Sequence, residues 1–438
     1  MTDLAWIDAA LTSARPQAVG ALLRYFRDLD TAEEAYQEAC LRALKNWPEK
    51  GPPRDAASWL IMVGRNAALD GVRRKSKLTE LPPEDMISDT DDVETPMAER
   101  LDGAHYRDDI LRLMFICCHP DLPATQQIAL ALRIVSGLTV KQIARAFLVG
   151  EAAMEQRITR AKGRIAKGET SFETPGPAER AERLAAVMSM VYLVFNEGYS
   201  AGPNEAEPRA RLSEEAIRLG RLLQRLYQTE PEVMGLTALM LLKHARAAAR
   251  FDADGAIVLL DDQDRSSWNR DMIGEGLALI DKAMRHRRAG PYQIQAAIDA
   301  LHARAATPED TDWAGIDALY AALEILQPSP VVTLNRAVAV SKARGPAEAL
   351  AMIEPLANAL GGYFYFFGAR GAFLLQLGRH AEARVAFDRA ITLANTAAEA
   401  AHIRGQIDRL SADAAGRASA ADRNPAGRKP AAPRLSGS

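Results

Sequence analysis

The chain is poor in the features that would tie it to a membrane, an oxidising compartment or a catalytic centre. Among 438 residues there are three cysteines, Cys40, Cys117 and Cys118, too few for a disulfide framework and suited to a reduced compartment. No apolar run approaches the roughly 18 residues that span a bilayer. The opening Met1-Thr2-Asp3-Leu4-Ala5-Trp6 has no basic segment followed by an apolar one, so no secretory signal and a cytoplasmic location are expected, with no membrane partner. Walker A, G-x-S-x-G and H-E-x-x-H strings are absent, and with them any expectation of catalytic residues or a cofactor. Cys117-Cys118-His119 has no second ligand pair of the kind zinc requires. Asp252, Asp254, Asp261, Asp262 and Asp264 lack the spacing of a calcium loop. No metal is expected.

What is present is an alanine-rich, strand-poor chain, 48% hydrophobic and 25% charged, which reads as an all-α protein with room for several domains. The net charge of −3 hides an uneven distribution. Arg73-Arg74-Lys75-Ser76-Lys77 is a basic cluster, and the following stretch from Thr79 to Asp102 holds nine acids against one base. Residues 1–78 read as helices, with breaks expected near Trp47-Pro48 and Gly51-Pro52-Pro53. Residues 79–106 form an acidic linker poor in periodicity. Residues 107–168 are a compact helical unit, closed by a boundary at Glu173-Thr174-Pro175-Gly176-Pro177. Residues 178–410 are helical again, and 411–438, built of Ala, Gly, Ser, Pro and Arg, are expected to be disordered.

The clearest local signal runs from Gly137 to Ile165. Thr139 and Gln142 make a T-x-x-Q capping box, after which Val140, Ile143, Ala144 and Phe147 share one helix face. Leu148-Val149-Gly150 is a tight turn. A second helix from Glu151 turns Met154, Ile158, Ala161 and Ile165 inward and leaves Gln156, Arg157, Thr159, Arg160, Lys162 and Arg164 outside. This is a helix-turn-helix whose second helix has an apolar seam and long donors suited to phosphates and base edges in a major groove.

Two strings lie upstream. The first is Thr31-Ala32-Glu33-Glu34-Ala35-Tyr36-Gln37-Glu38-Ala39-Cys40-Leu41-Arg42-Ala43-Leu44. The second is Ser58-Trp59-Leu60-Ile61-Met62-Val63-Gly64-Arg65-Asn66-Ala67-Ala68-Leu69-Asp70-Gly71-Val72-Arg73-Arg74. At this spacing they resemble region 2 of the extracytoplasmic-function (ECF) class of bacterial sigma-70 factors, and the helix-turn-helix resembles region 4 of the same class. The resemblance covers residues 1 to about 168 and implies a sigma region 2 domain at 1–78 and a region 4 domain at 107–168, joined by the acidic linker. Core RNA polymerase and promoter DNA are the partners it implies. The polar face of the first string, Glu33, Glu34, Gln37, Glu38 and Arg42, would dock on a helical coiled coil of the polymerase, where mixed charges set register. In the second string Trp59, Leu60, Val63 and Ala67 form the buried stripe. The −10 element would then meet Arg65, Asn66, Arg73, Arg74 and Lys75, because melted strand needs cations along its phosphates. Arg65 and Asp70 serve equally well as structural residues within the helix.

Reading of the −35 element falls by the same resemblance on Gln156, Arg157, Arg160, Lys162 and Arg164. The chain departs from the family pattern at Ala153-Met154-Glu155-Gln156-Arg157, where Glu155 replaces a cation; a carboxylate there accepts from a cytosine amino group or weakens phosphate binding. The acidic linker would thread the polymerase channel, or act as a plain tether.

The second half is unusual for the class. Gly371, Leu374, Ala383 and Phe387 stand 34 residues after Ala337, Val340, Ala349 and Ile353, a tetratricopeptide-type offset, with a looser copy at Tyr320, Leu323 and Pro328. Phe195-Asn196-Glu197-Gly198-Tyr199, the stretch from Asp254 to Trp268 and these repeats resemble a sigma subgroup with a helical-repeat extension, which would control activity and hold a protein or peptide partner. The competing reading is a conventional helix-turn-helix regulator with a helical-repeat sensor domain. That reading leaves the two upstream strings unexplained.

Overall fold

The computed structural model describes residues 5–76, 103–119, 121–147, 149–169, 177–200, 207–253, 255–394 and 398–408. The acidic stretch 79–102 and the tail 411–438 lie outside these residues. The regular elements among the described residues are helices, apart from an isolated bridge between Phe251 and Ile257. They divide into a compact unit ending at Met240 and another beginning at Leu241.

The first unit opens with three mutually packed helices, α1 (Ala5–Phe26), α2 (Leu29–Lys50) and α3 (Ala56–Ser76). Asp28 starts α2, its carboxylate accepting from the Thr31 amide at 2.8 Å and satisfying a donor that the first turn leaves open. The break expected at Trp47-Pro48 does not occur: α2 runs through Pro48 to Lys50 and stops at Gly51, whose φ of 81° few other residues adopt. So near the C-terminus the missing proline donor costs the helix a single bond. Trp47, 2% exposed, stacks on Trp6 and meets the Trp59 ring edge-on, locking the three helices at one end. At Gly64 a Cβ would stand 2.7 Å from the Ala35 carbonyl oxygen, so the α2–α3 approach depends on the absence of a side chain there.

Four helices follow: α4 (Gly103–Cys117), α5 (Ala124–Ile134), α6 (Val140–Ala146) and α7 (Glu151–Arg164). Then come α8 (Pro177–Tyr199) and α9 (Glu207–Leu226). Helix α4 lies against α1, where a Cβ on Gly20 would meet the Asp109 carbonyl oxygen at 2.7 Å. Helix α8 packs on α4 and α5, and α9 packs on α8 and on α6. The start of the extension is therefore built onto the helix-turn-helix unit.

Helix α10 (Pro231–His244) carries the chain across the division at Met240. The second unit contains α11 (Arg270–Met284), α12 (Pro291–Arg304), α13 (Trp313–Leu326), α14 (Pro330–Ala343), α15 (Pro346–Ile353), α16 (Phe364–Gln376), α17 (His380–Leu393) and a last helix over 398–408. Successive helices pair, α13 with α14, α14 with α15 and α16 with α17. All eight residues of the 34-residue offset are buried. Their sizes are complementary, since a Cβ at Gly371 would fall 2.5 Å from the Phe387 ring. The segment between α10 and α11 is pinned by Arg265, which donates to the His302 and Ala305 carbonyls at 2.8 and 2.7 Å and so caps the end of α12. Its acids have local tasks: Asp252 accepts from the Ala256 amide, Asp264 from Ser266, and Asp261 pairs with Lys342 at 2.7 Å. Asp254 lies outside the described residues.

Candidate nucleic-acid interface

Both halves of the capping box form: the Gln142 amide donates to Thr139 Oγ1 at 3.2 Å, and the Thr139 amide to Gln142 Oε1 at 2.8 Å. The Val149 amide closes the turn on the Ala144 carbonyl, and Gly150 starts α7 with no side-chain cap. Met154, Ile158, Ala161 and Ile165 are all buried. Gln156, Arg160 and Arg164 are exposed and Arg157 partly so. At about 100° per residue these four share one side of α7, whereas Lys162 lies well round the helix from them. Arg164 donates to the Asp121 carbonyl at 3.0 Å.

Lys162 is turned toward α2. Its ammonium donates to Asp30 Oδ1 and to Glu33 Oε2, both at 2.6 Å. Partial burial pulls the Lys162 pKa down, but the bonds to Asp30 and Glu33 and their negative charges outweigh it and hold the group above its ordinary value. Glu33 is only 4% exposed. Its other oxygen accepts from Arg15 at 3.1 Å and lies 3.7 Å from Arg133. Arg15 is the keystone of this cluster: its Nε donates to the Ile134 carbonyl at 2.9 Å and Nη2 to the Arg133 carbonyl at 3.2 Å, capping α5, while the guanidinium sits over the Tyr36 ring. Gly137, at a φ of 76°, admits it, since a Cβ there would stand 2.8 Å from Arg15 Cδ. A second buried acid, Asp109, joins Arg24 of α1 to Arg112 of α4.

The sequence-predicted docking residues therefore separate. Glu33 is held inside this cluster, while Glu34 and Gln37 are exposed and Glu38 pairs with Arg42 at 3.1 Å. Leu41 and Leu44, 56% and 49% exposed, continue the same stripe one and two turns further along α2. Sequence reading passed over these two. Their signal was an apolar pair at i+7 and i+10 from Glu34 on an otherwise polar face.

On α3, Leu60 and Val63 are buried, Trp59 and Ala67 partly so, and Asn66 is exposed. The Arg65 guanidinium lies 4.5 Å over the Tyr25 ring, which gives it a structural partner within the helical unit. Arg73, Arg74 and Lys75 fall in the last turns of α3, and their side chains, like that of Asp70, lie outside the described residues. Cys117 and Cys118 are fully buried; burial raises both thiols, Cys118 to about 12.

Comparison with known proteins assigns these surfaces to named regions. Residues 11–78 match the model of sigma-70 region 2, residues 112–165 that of sigma-70 region 4, and residues 183–284 a family of unknown function, DUF6596. An uncharacterized protein of Rhizobium meliloti (strain 1021) is 70% identical over 415 residues, covering 95% of this chain and 98% of that protein. No solved structure matches the chain. With region 2 on α1–α3, region 4 on α4–α7 and a helical extension after them, the chain belongs to the sigma-70 family of sigma factors.

Proposed function

We propose that the protein is a cytoplasmic sigma factor of the ECF class, in which region 4 reads a −35 element, region 2 reads and helps to melt a −10 element, and a tetratricopeptide-like extension controls activity. The polymerase supplies the phosphodiester chemistry. On α7 the −35 contacts fall on Gln156, Arg157, Arg160 and Arg164, with Lys162 joining them once it leaves Asp30 and Glu33. On α3 the −10 contacts fall on Asn66, Arg73, Arg74 and Lys75, and on Arg65 once it leaves Tyr25. Core polymerase docks on the α2 stripe of Glu34, Gln37, Glu38, Leu41, Arg42 and Leu44, with Glu33 added once it leaves Arg15 and Lys162.

The observation that carries the reading is the Arg15–Glu33–Lys162 cluster, which joins a docking acid of region 2 to a cation of the recognition helix. A sigma factor bound to polymerase must present both surfaces at once. The described arrangement is in this reading a closed form, and binding selects an open one. Packing of α8 and α9 against α4, α5 and α6 gives the extension a direct hold on region 4, and linkage within one chain keeps such a regulator at high effective concentration.

The test is transcription in vitro with purified core polymerase on a library of genomic fragments, using the whole chain and a chain ending at Lys167. Initiation from a discrete set of fragments is expected, lost or weakened in a Leu41→Ser/Leu44→Ser variant, and altered in level by the truncation. Duplex binding without polymerase and no initiation from any fragment would favour the conventional regulator. Equal output from whole and truncated chains at matched protein levels would remove the control assigned to the extension.

A further inference from the structure

The second unit has a half-open pocket of about 660 Å³, within the range of small-molecule sites. Its floor is apolar: Leu334, Phe364, Phe387 and Ile403 are all at most 7% exposed. Leu259, Val338 and Tyr365 stand at its mouth, each at least 40% exposed. A folded chain tolerates large apolar side chains in water singly, but three of them round one hollow mark a binding surface.

The walls come from separate parts of the chain. Val338 belongs to α14, Phe364 and Tyr365 to α16, and Ile403 to the last helix, whereas Leu259 comes from the segment pinned by Arg265. A bare groove between helix pairs would suit an extended peptide. The added wall from the Arg265 segment makes a chamber of limited volume.

The charged side chains that line the chamber are basic. Arg246 and Lys243 line it, and among the described residues no carboxylate does. Carboxylates bonded to the lining are engaged, Asp299 with Lys243 at 3.1 Å and Glu399 with the Tyr365 hydroxyl at 3.0 Å. Arg246 makes no ion pair among the described residues. An aromatic and aliphatic floor beside an unpaired guanidinium fits an anion with an apolar body, since Arg matches a carboxylate fork with two parallel bonds.

We propose that this chamber binds a small amphipathic anion, an organic carboxylate with an aliphatic or aromatic body, with Arg246 holding the carboxylate. The proposal deepens the reading of the extension as the regulatory part. Its test is binding without polymerase or DNA, so its failure leaves promoter recognition untouched.

The experiment uses the full chain and the probes decanoate and decanol, read by displacement of the fluorescent anion anilinonaphthalene sulfonate and by calorimetry. Decanoate is expected to bind about tenfold more tightly than decanol, the size of one charge-assisted hydrogen bond at its lower end. Arg246→Gln should abolish that preference and leave decanol binding unchanged. Filling the mouth by Val338→Trp, or by Asn335→Trp as a second variant at another exposed position, should weaken both probes by at least about tenfold, as blocking a shared apolar site does. Melting temperatures near that of the unaltered chain identify the folded variants. The proposal is overturned if decanoate does not bind, if decanol binds equally well, if Arg246→Gln preserves the preference, or if a folded mouth-filling variant binds both probes as before.

Discussion

Replacing Lys162 by methionine keeps the length of the side chain and removes its charge, and the structure sets the size of the effect. The ammonium makes two bonds of 2.6 Å, one to Asp30, whose side chain is 65% exposed, and one to Glu33, 5% exposed. The exposed arm is worth at most about 1 kcal/mol, and the buried one about 1.5–3 kcal/mol. Glu33 keeps Arg15 at 3.1 Å and Arg133 at 3.7 Å, so its charge is not stranded. The loss therefore stays near 2 kcal/mol and below the roughly 3–5 kcal/mol of a buried ion stripped of its partner. At about 1.4 kcal/mol per tenfold, the closed form should lose about 30-fold in weight. Where only the open form binds core polymerase, the apparent Kd falls by up to about the same factor while that form is the minor one. Energy transfer between dyes on α2 and α7, with titration of core polymerase, measures both quantities. Unchanged distance and affinity in Lys162→Met would refute the closed-form argument. So would a variant whose only defect is −35 binding within an assembled holoenzyme, because Lys162 would then act on DNA alone.

The same bonds fix a pH dependence. The Lys162 pKa is raised in the folded chain, so its contribution is fully present below the ordinary lysine value of 10.5 and is lost as pH rises through the raised one; the dye distance should hold across neutral pH and lengthen only in strong alkali. Arg157→Ala and Arg160→Ala should each impair −35 recognition, by about 1–3 kcal/mol with relaxed base preference if a base contact is lost, or with a salt slope lower by about one unit if a phosphate contact is lost. Competition footprinting at several salt concentrations distinguishes the two, and no change in either variant would displace the reading face from α7. Cys117 and Cys118, buried and raised in pKa, should resist alkylation at neutral pH until the chain unfolds; rapid labelling of either in the native protein, followed by mass spectrometry, would contradict their burial.

What the sequence made legible was local or periodic. The Thr139–Gln142 box needs only a three-residue spacing, and the inward stripe of α7 only a helical period, so both appear as read. The 34-residue offset was equally visible, because Gly371 and Phe387 must be complementary in size wherever the pair of helices lies. Of the two breaks expected at the end of α2, the one at Gly51 appears, because glycine supplies a conformation that ends the helix, and the one at Trp47-Pro48 does not, because a proline in a last turn removes little. Leu41 and Leu44 were in plain view, but an apolar residue on a charged face draws no notice until its exposure is known.

The part that was not legible is the part that joins regions. Glu33 sits at the head of a polar stripe and by pattern belongs with Glu34 and Gln37, one turn before Gln37 on nearly the same face, yet it is buried where they are exposed. There it meets Arg15, a residue with no motif to announce it, and Lys162, 129 positions later in the chain. Helical arithmetic alone would have set Lys162 apart from Gln156, Arg157, Arg160 and Arg164, but not told what it faces. A buried acid with three cationic neighbours costs desolvation that an apolar contact would avoid. Its value lies in being breakable: an apolar seam between regions 2 and 4 would resist separation in any surroundings, whereas a charged one yields when a partner offers Glu33 and Lys162 other charges. Polymerase and DNA offer both, the one to α2 and the other to α7, so the contacts that would hold the closed form are also the ones that its two partners compete for.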